Sequence, residues 1–287
     1  MYRVIHGDCH KELQKLDKNS IQCCVTSPPY WHLRDYECDG QLGENPTPEE
    51  YANDLARVFD EVKRVLCEDG VLFLNLGDTY CGGGGYCPNA PSNQKGSKQS
   101  TNRGSKSGSR PIPDGYKAKD LVGFPWLVAF ALRSQGWYLR ADIIWDKTNC
   151  MPENVTDRPT RSHEYVFLFS KSQKYFYDHV AVKEIGASGK KRNRRTVWAL
   201  PKAKGGTIHT ATFPERLAEI CMLSGSREGD VVLDPFMGSG TTGEVSLKNG
   251  RNFIGIDVNK EYCNLSEERI KNAASKFEAA SMVQNLD

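Results

Sequence analysis

The chain has 287 residues, of which 38% are hydrophobic and 26% charged, and its 38 Lys+Arg against 36 Asp+Glu give a formal net charge of +2. This balance excludes a disordered chain and is typical of a globular protein that can bury a sizeable core. The longest apolar stretch, Gly123 to Leu132, is far shorter than the roughly 20 residues that a membrane-spanning helix needs. The first eight residues contain no apolar signal core. We therefore expect a cytoplasmic protein without a membrane segment.

The ten cysteines form neither a Cys-x-x-Cys pair nor a matched Cys/His pair of the kind that binds zinc. They are scattered, and several lie in apolar runs. We expect reduced thiols, most of them buried, and no metal site.

Short β-branched runs alternate with helical patterns along the chain, which predicts an α/β fold. The predicted strands are Arg3–His6, Ile21–Thr26, Val71–Leu76, Leu139–Trp145, Tyr165–Phe169, Val231–Leu233 and Phe253–Ile256. Between the second and third strands, Thr47-Pro48-Glu49-Glu50 has the pattern of a helix N-terminus, with a capping threonine, an early proline and a glutamate three residues after the cap. We expect a structural helix there, with one apolar face.

Two segments are strongly basic although the whole chain is nearly neutral. Residues 82–110 are rich in glycine and serine, with five Lys/Arg and no acid, and are predicted to be a flexible loop. This loop is either a solvated linker or an arm that binds a polyanion. Residues 189–204 hold seven basic side chains and no acid, and they include a tryptophan. That combination favours contact with nucleic acid. The candidate contacts are Lys190, Lys191, Arg192, Arg194, Arg195 and Trp198.

A glycine-rich turn follows the strand Val231–Leu233 and precedes a predicted helix. Its Gly238-x-Gly240-x-x-Gly243 spacing matches the dinucleotide fingerprint, and Asp257 ends the next strand, where such folds place a ribose-binding acid. An oxidoreductase that uses a nicotinamide cofactor is therefore an alternative. Against it, Asp234 lies where the anionic pyrophosphate would bind, and a carboxylate there favours a cation.

S-adenosylmethionine fits this turn better, because it is a nucleoside that carries sulfonium and ammonium groups and no phosphate. Asp257 is then expected to bind the ribose hydroxyls. Asp8, which follows the first strand, is expected to accept a hydrogen bond from the adenine amine. All three acids follow predicted strands, at the sheet edge where open α/β folds bind ligands.

The tetrapeptide Ser27-Pro28-Pro29-Tyr30 directly follows the second strand. Two prolines stiffen the backbone and end strand pairing, which by itself indicates only a rigid turn. A nucleobase amine is a poor nucleophile because its lone pair is delocalised into the ring. Hydrogen bonds from that amine to Ser27 and to the Pro28 carbonyl would localise the pair, and Tyr30 would stack on a flipped base. The turn is thus a candidate site for methyl transfer to a base amine.

Four segments together resemble the site-specific DNA amino-methyltransferases: Thr26–Trp31, His209–Leu217, Asp234–Thr242 and Phe253–Asp257. The order, with the catalytic tetrapeptide before the cofactor loop, resembles the permuted β group of that family. The resemblance implies a Rossmann-like methyltransferase fold with a mixed, mostly parallel seven-stranded sheet flanked by helices. It also implies a catalytic part in residues 1–170, a short target-recognition insertion in residues 171–206, and a cofactor-binding part in residues 207–287.

The resemblance assigns roles to individual residues. The amine and the flipped base would be held by Ser27, Pro28, Pro29 and Tyr30. The methionine part of the cofactor would be held by Asp234, Pro235, Phe236, Gly238, Ser239, Gly240 and Thr241, with Phe213 on the other side.

Serine as the first residue of the tetrapeptide resembles the enzymes that methylate N4 of cytosine, whereas aspartate is more typical of N6-adenine enzymes. The function expected is therefore N4-cytosine methylation of double-stranded DNA, with N6-adenine methylation as the alternative. A catalytically silent DNA-binding module and an RNA substrate are weaker rivals. We expect a monomer or homodimer; whether a cognate restriction endonuclease exists is left open by the sequence, and such an endonuclease would act separately.

Overall fold

The computed structural model describes residues 1–32, 42–82, 111–150, 152–203 and 213–284, with side chains up to residue 275. Nearly all of the predicted loop at 82–110, and residues 209–212 of the family-like segment, lie outside this part, so those predictions stay predictions. In chain order the elements are β1 (Tyr2–His6), α1 (Cys9–Gln14), β2 (Ile21–Thr26), α2 (Pro48–Val65), β3 (Leu66–Leu76), α3 (Phe124–Ser134), β4 (Tyr138–Asp146), β5 (His163–Ser170), β6 (Glu184–Ile185), β7 (Lys191–Arg192), β8 (Val197–Ala199), α4 (Glu215–Gly225), β9 (Val231–Asp234), α5 (Thr241–Lys248), β10 (Asn252–Asp257) and α6 (Lys260–Gln284).

The main sheet has the strand order β1-β10-β9-β2-β3-β5-β4-β8. The first five of these strands run parallel to one another, β5 is antiparallel to both of its neighbours, and β8 is parallel to β4. The seven predicted strands are all present, which confirms the mixed, mostly parallel α/β sheet. The structure adds an eighth strand, β8, that the sequence analysis did not predict.

Helices cover both faces of the sheet, and each face has its own apolar core. The core under α1, α2 and α3 includes Leu13, Phe59 and Phe124. The core under α4, α5 and α6 includes Met222 and Ile270. A sheet whose two faces are both covered explains why its central strands are almost continuously apolar.

Helix α2 begins where the sequence predicted it to begin. Thr47 caps it by accepting a hydrogen bond from the backbone N–H of Glu50, and Pro48 is its first residue. Its apolar residues, among them Tyr51 and Phe59, are fully buried. The cap and the apolar face were both visible in the sequence, which is why this prediction is confirmed.

The strand directions bring the candidate residues to one edge of the sheet. The carboxyl ends of β1 and β10 pair there, with His6 opposite Asp257, and Asp234 pairs with Gly255. Because β5 runs the opposite way, its first residues lie at this same edge, with Glu164 opposite Trp145. This edge is therefore the place to look for the site.

The segment predicted as a recognition insertion is only partly separate from the main sheet. β6 and β7 form a two-stranded hairpin, but β8 joins the main sheet, where Trp198 pairs with Trp145. Trp198 is 3% exposed, and its indole N–H donates to the Arg195 carbonyl. The prediction that Trp198 contacts DNA is therefore wrong, because this side chain is part of the core.

Among the described helices, none combines the length and the apolar composition that a bilayer span requires.

Candidate active site

The buried carboxylate of Asp234 joins the tetrapeptide strand to the glycine-rich loop. One oxygen accepts from the Thr26 hydroxyl at 2.6 Å and from the Phe236 backbone N–H at 3.1 Å, and the other accepts from the Thr242 hydroxyl at 2.9 Å. Asp234 is 2% exposed. Burial raises its pKa to about 6, although the three hydrogen bonds oppose that rise. Asp234 thus fixes the position of Ser27, the next residue after Thr26, relative to the loop.

At least three backbone N–H groups of the glycine-rich loop donate to acceptors within the protein. Gly238 N–H donates to Asp257 at 2.8 Å, and Phe236 N–H donates to Asp234. Met237 N–H donates to the Ile256 carbonyl at 3.0 Å. A pyrophosphate needs such N–H groups free, and it would also meet two carboxylates here. This geometry fits a cationic ligand and disfavours the nicotinamide alternative.

The glycines of the loop meet different structural requirements: a left-handed backbone conformation, close packing between helices, or both. Gly238 and Gly240 have left-handed φ angles of 52° and 79°. A Cβ at Gly240 would lie 2.7 Å from Ser266, and one at Gly243 would lie 2.5 Å from Ile270, so both allow α5 and α6 to pack closely. A Cβ at Gly238 would meet nothing within 4 Å. The loop is therefore open to a ligand at Gly238.

The tetrapeptide lies against α2 and α3. Pro28 is buried, and the Tyr51 hydroxyl of α2 donates to the Pro29 carbonyl. The Tyr30 ring lies 6.0 Å from the ring of Phe124, at the start of α3. The tetrapeptide is thus packed against two helices; its rigidity and the stacking of Tyr30 on a flipped base stay predictions.

A polar cluster that the sequence analysis missed surrounds the end of the tetrapeptide. The Ser27 hydroxyl donates to Tyr30 Oη at 3.2 Å, and Tyr30 donates to Glu164 Oε2 at 2.9 Å. Asn75 Nδ2 donates to the same carboxylate oxygen at 2.8 Å, and Lys147 forms an ion pair with the other oxygen. Burial and the adjacent Glu164 raise the pKa of Tyr30 well above its ordinary value, so its hydroxyl keeps its proton.

Known proteins similar to this chain are DNA methylases. Residues 21–268 match the family model described as DNA methylase, in its N6/N4 class. The chain belongs to this family.

Similar DNA methylases cover nearly the whole chain. It is 48% identical over 270 residues to the type II methyltransferase M.SmaI of Serratia marcescens, a match that covers 93% of this chain and 90% of that protein. It is 46% identical over 269 residues to M.Cfr9I of Citrobacter freundii, covering 93% of this chain and 87% of the relative.

Two solved structures show the same fold. TTHA0409 from Thermus thermophilus, complexed with S-adenosyl-L-methionine, matches with a TM-score of 0.65 and 25% identity, covering 96% of both chains. The PvuII DNA methyltransferase (cytosine-N4-specific) matches with a TM-score of 0.69 and 20% identity, covering 96% of this chain and 92% of that one. At that identity the second match establishes the fold alone.

The remaining predicted cofactor residues of this DNA methylase lie around the same edge. Asp8 caps α1, where one of its oxygens accepts from the Lys11 N–H at 3.0 Å, and its contact with adenine stays a prediction. Phe213 is half-buried and packs against the core under α4, α5 and α6. Ser239 and Thr241 are buried, and Arg269 of α6 donates to Thr241 Oγ1 at 3.1 Å. No sequence motif pointed to Arg269.

The predicted DNA contacts divide into two groups. Arg192 and Arg194 pair with Glu184 at 2.8 and 3.8 Å, and Arg194 also donates to the Val182 carbonyl. These two arginines stabilise the β6–β7 hairpin. Exposed basic side chains remain at Lys190, Lys191 and Arg195.

The buried Asp234 should make the free energy of unfolding depend on pH. Its pKa is about 6 in the folded protein against 3.8 ordinarily, so the folded state binds the extra proton between these values. Stability should therefore fall as the pH rises through this window, by about 3 kcal/mol from this group. Urea unfolding of the ligand-free protein at pH 4 to 8 measures this, and Asp234→Asn should lack this component.

The matched control is Asp60→Asn on the exposed side of α2, which should keep the pH profile of the parent protein. Identical profiles for the parent and Asp234→Asn would contradict the raised pKa of Asp234.

Proposed function

We propose that this DNA methylase transfers a methyl group from S-adenosylmethionine to the exocyclic N4 amine of cytosine in double-stranded DNA, after the base has been flipped out of the helix. The observation that carries the proposal is the hydrogen bond between Thr26 and Asp234. It holds the amine-activating turn and the cofactor loop side by side at the carboxyl edge of the sheet.

The loop fits S-adenosylmethionine on charge and on shape. When bound, this cofactor supplies an electrophilic methyl group and a neutral leaving group. Asp234 is buried and its oxygens are occupied by protein donors, so it acts through its negative charge rather than by direct contact. In this proposal Asp257 binds the ribose, and the open space at Gly238 leaves room for the ligand.

The tetrapeptide activates the amine by accepting its hydrogen bonds. The amine N–H groups donate to Ser27 Oγ and to the Pro28 carbonyl, which draws the nitrogen towards tetrahedral geometry and localises its lone pair. The bound cofactor would supply the methyl group, its sulfur–methyl bond breaking as the nitrogen–methyl bond forms, and the methylated amine would release one proton to solvent. Because the turn is rigid, its acceptors are already oriented before the positive charge develops on the nitrogen.

The choice of cytosine is supported by Ser27 as the first residue of the tetrapeptide, as in the N4-cytosine enzymes that this motif resembles. Adenine N6 is the alternative, since it presents a similar amine. The type II names of the relatives favour a restriction–modification role with a separate endonuclease. We expect a monomer or a homodimer.

The test is incubation of the protein with methyl-labelled cofactor and duplexes of varied sequence, followed by nucleoside analysis. Label on N4-methylcytosine supports the proposal. Label confined to N6-methyladenine overturns the choice of base but keeps amine methylation, and the absence of label in every base overturns the function.

Ser27→Ala should lower the single-turnover rate of methyl transfer by about 100-fold or more, because the developing charge loses one acceptor. Affinity for S-adenosylhomocysteine, measured by calorimetry, should stay within about twofold, since Ser27 is outside the cofactor loop. The control is Ser20→Ala, which removes an exposed hydroxyl just before the opposite end of β2. Equal rates for Ser27→Ala and the parent would contradict the assigned role.

Asp257→Asn should weaken cofactor binding by about tenfold or more, because hydrogen bonds to a charged group are the stronger kind. The loss should appear in the dissociation constant for S-adenosylhomocysteine. Asp230→Asn, at the other edge of the sheet just before β9, is the matched control and should bind normally. Unchanged affinity in Asp257→Asn would show that ribose is not held there.

The double variant Lys190→Ala/Lys191→Ala should bind DNA with a weaker dependence on salt, because each lost phosphate contact reduces the slope of log K against log[salt] by about 0.9. Fluorescence anisotropy with a labelled duplex between about 50 and 200 mM salt measures this slope. Lys15→Ala/Lys18→Ala, at the N-terminal end of β2, is the control. An unchanged slope would exclude these lysines as phosphate contacts.

A further inference from the structure

Glu164 and Lys147 form an ion pair beside the tetrapeptide, with side chains only 13% and 16% exposed. They come from two neighbouring strands, at the start of β5 and just after the end of β4. The Glu164 carboxylate binds Lys147 through one oxygen and Tyr30 and Asn75 through the other. Both carboxylate oxygens are therefore paired within the cluster, which restrains the orientation of Glu164.

The direction of each hydrogen bond in this cluster follows from which groups carry protons. A carboxylate only accepts, so Tyr30 must use its single proton on Glu164. Tyr30 Oη can then only accept, and it receives Asn75 Nδ2 at 3.2 Å and the Ser27 hydroxyl at 3.2 Å. The Ser27 proton is thereby directed to Tyr30. The lone pairs of Ser27 Oγ are left to accept from another donor.

We propose that Glu164 is a positioning residue that sets the direction of this hydroxyl chain, so that Ser27 Oγ faces the target amine as an acceptor. Lys147 holds the carboxylate in place through the oxygen that faces away from Tyr30. The proposal rests on the proposed function, because the donor that Ser27 receives is the base amine.

The substitution Glu164→Gln tests the direction of the chain with almost no change in volume. Lys147 can only donate, so the new amide must turn its oxygen to Lys147 and its NH₂ group to Tyr30. The new NH₂ also faces Asn75 Nδ2, so the Asn75 amide must turn to present its Oδ1, a buried acceptor without a partner among the described residues. Tyr30 then has no acceptor at position 164, its proton can point at Ser27, and the Ser27 proton is no longer held away from the amine. Single-turnover methyl transfer should slow by at least about tenfold, while affinity for S-adenosylhomocysteine stays within about twofold.

A double-mutant cycle separates this role from a contribution to folding. Tyr30→Phe keeps the ring but removes the hydroxyl that connects Glu164 to Ser27. Glu164→Gln should then cause no further loss of rate in the Tyr30→Phe background. Lys147→Met added to Glu164→Gln frees the amide to turn its oxygen towards Tyr30, so this double variant should recover at least about threefold over Glu164→Gln alone.

A second readout does not depend on catalysis. Incorporating 3-fluorotyrosine at position 30 reports the ionisation of that phenol by ¹⁹F NMR. Replacing the Glu164 carboxylate by an amide should move the titration of Tyr30 to lower pH, because the negative charge that opposes the phenolate is gone. Glu61→Gln, which removes a similar ion-paired glutamate on α2, is the control for both readouts and should change neither.

Three results together support the proposal. Methyl transfer is slower in Glu164→Gln, the rate of Tyr30→Phe/Glu164→Gln is no lower than that of Tyr30→Phe, and Tyr30 titrates at a lower pH in Glu164→Gln. The proposal is overturned if the rate losses of Glu164→Gln and Tyr30→Phe multiply in the double variant, or if adding Lys147→Met to Glu164→Gln lowers the rate further. It is also overturned if Glu164→Gln leaves the pH of the Tyr30 titration unchanged. If the parent protein methylates no base amine while the titration still responds, the proposed function has failed. The positioning role towards an amine then falls with it, although Glu164 and Tyr30 are coupled.

Discussion

The arrangement of the site depends on the burial of one carboxylate, that of Asp234, between the ends of two strands that are far apart in the chain. An isolated buried carboxylate is strongly unfavourable, so Asp234 is tolerated only because Thr26, Thr242 and the Phe236 N–H all donate to it. Thr26 is 208 residues away, and the next residue, Ser27, carries the proposed chemistry. A 1 Å misplacement of reacting groups can slow a reaction about 100-fold. The hydrogen bond between the ends of β2 and β9 sets the separation of the tetrapeptide and the cofactor loop without a flexible connection.

Strand direction explains why the polar groups converge. Parallel strands bring Asp234, Asp257 and the tetrapeptide to one edge, since each follows or ends a strand at its carboxyl end. The reversed strand β5 brings the start of a strand to the same edge, and Glu164 is there for that reason. Asp234 and Asp257 thus lie at this edge because their strands end there, whereas Glu164 lies there because its strand begins there. The first group follows the general rule for ligand sites in open α/β sheets, and the second depends on the mixed topology.

The sequence predicted the parts of this structure that carry a strong local signal. β-Branched runs identified seven strands, and the cap at Thr47 identified α2, because burial and capping each leave a pattern in neighbouring residues. β8 has only three residues, of which Val197 and Ala199 are exposed, so it has no apolar run to detect. Its basic neighbours led to Trp198 being predicted as a DNA contact, whereas pairing with β4 buries it. Glu164 was missed because its position follows from the direction of β5, which a single sequence does not reveal.

The hydrogen-bond chain behind the tetrapeptide follows from having a serine at position 27. A hydroxyl both donates and accepts, so it can face an amine with its lone pairs or, unproductively, with its proton. A carboxylate in that place would accept without help from its neighbours. Ser27 needs a neighbour that accepts a hydrogen bond from its hydroxyl. Tyr30 can accept that bond only if its own hydroxyl donates to a group that never donates. An ion-paired glutamate meets that requirement, and a glutamine does not. Ser27 is thus the acceptor of the amine hydrogen bond, and the Glu164–Lys147 pair, through Tyr30, orients its hydroxyl for that role.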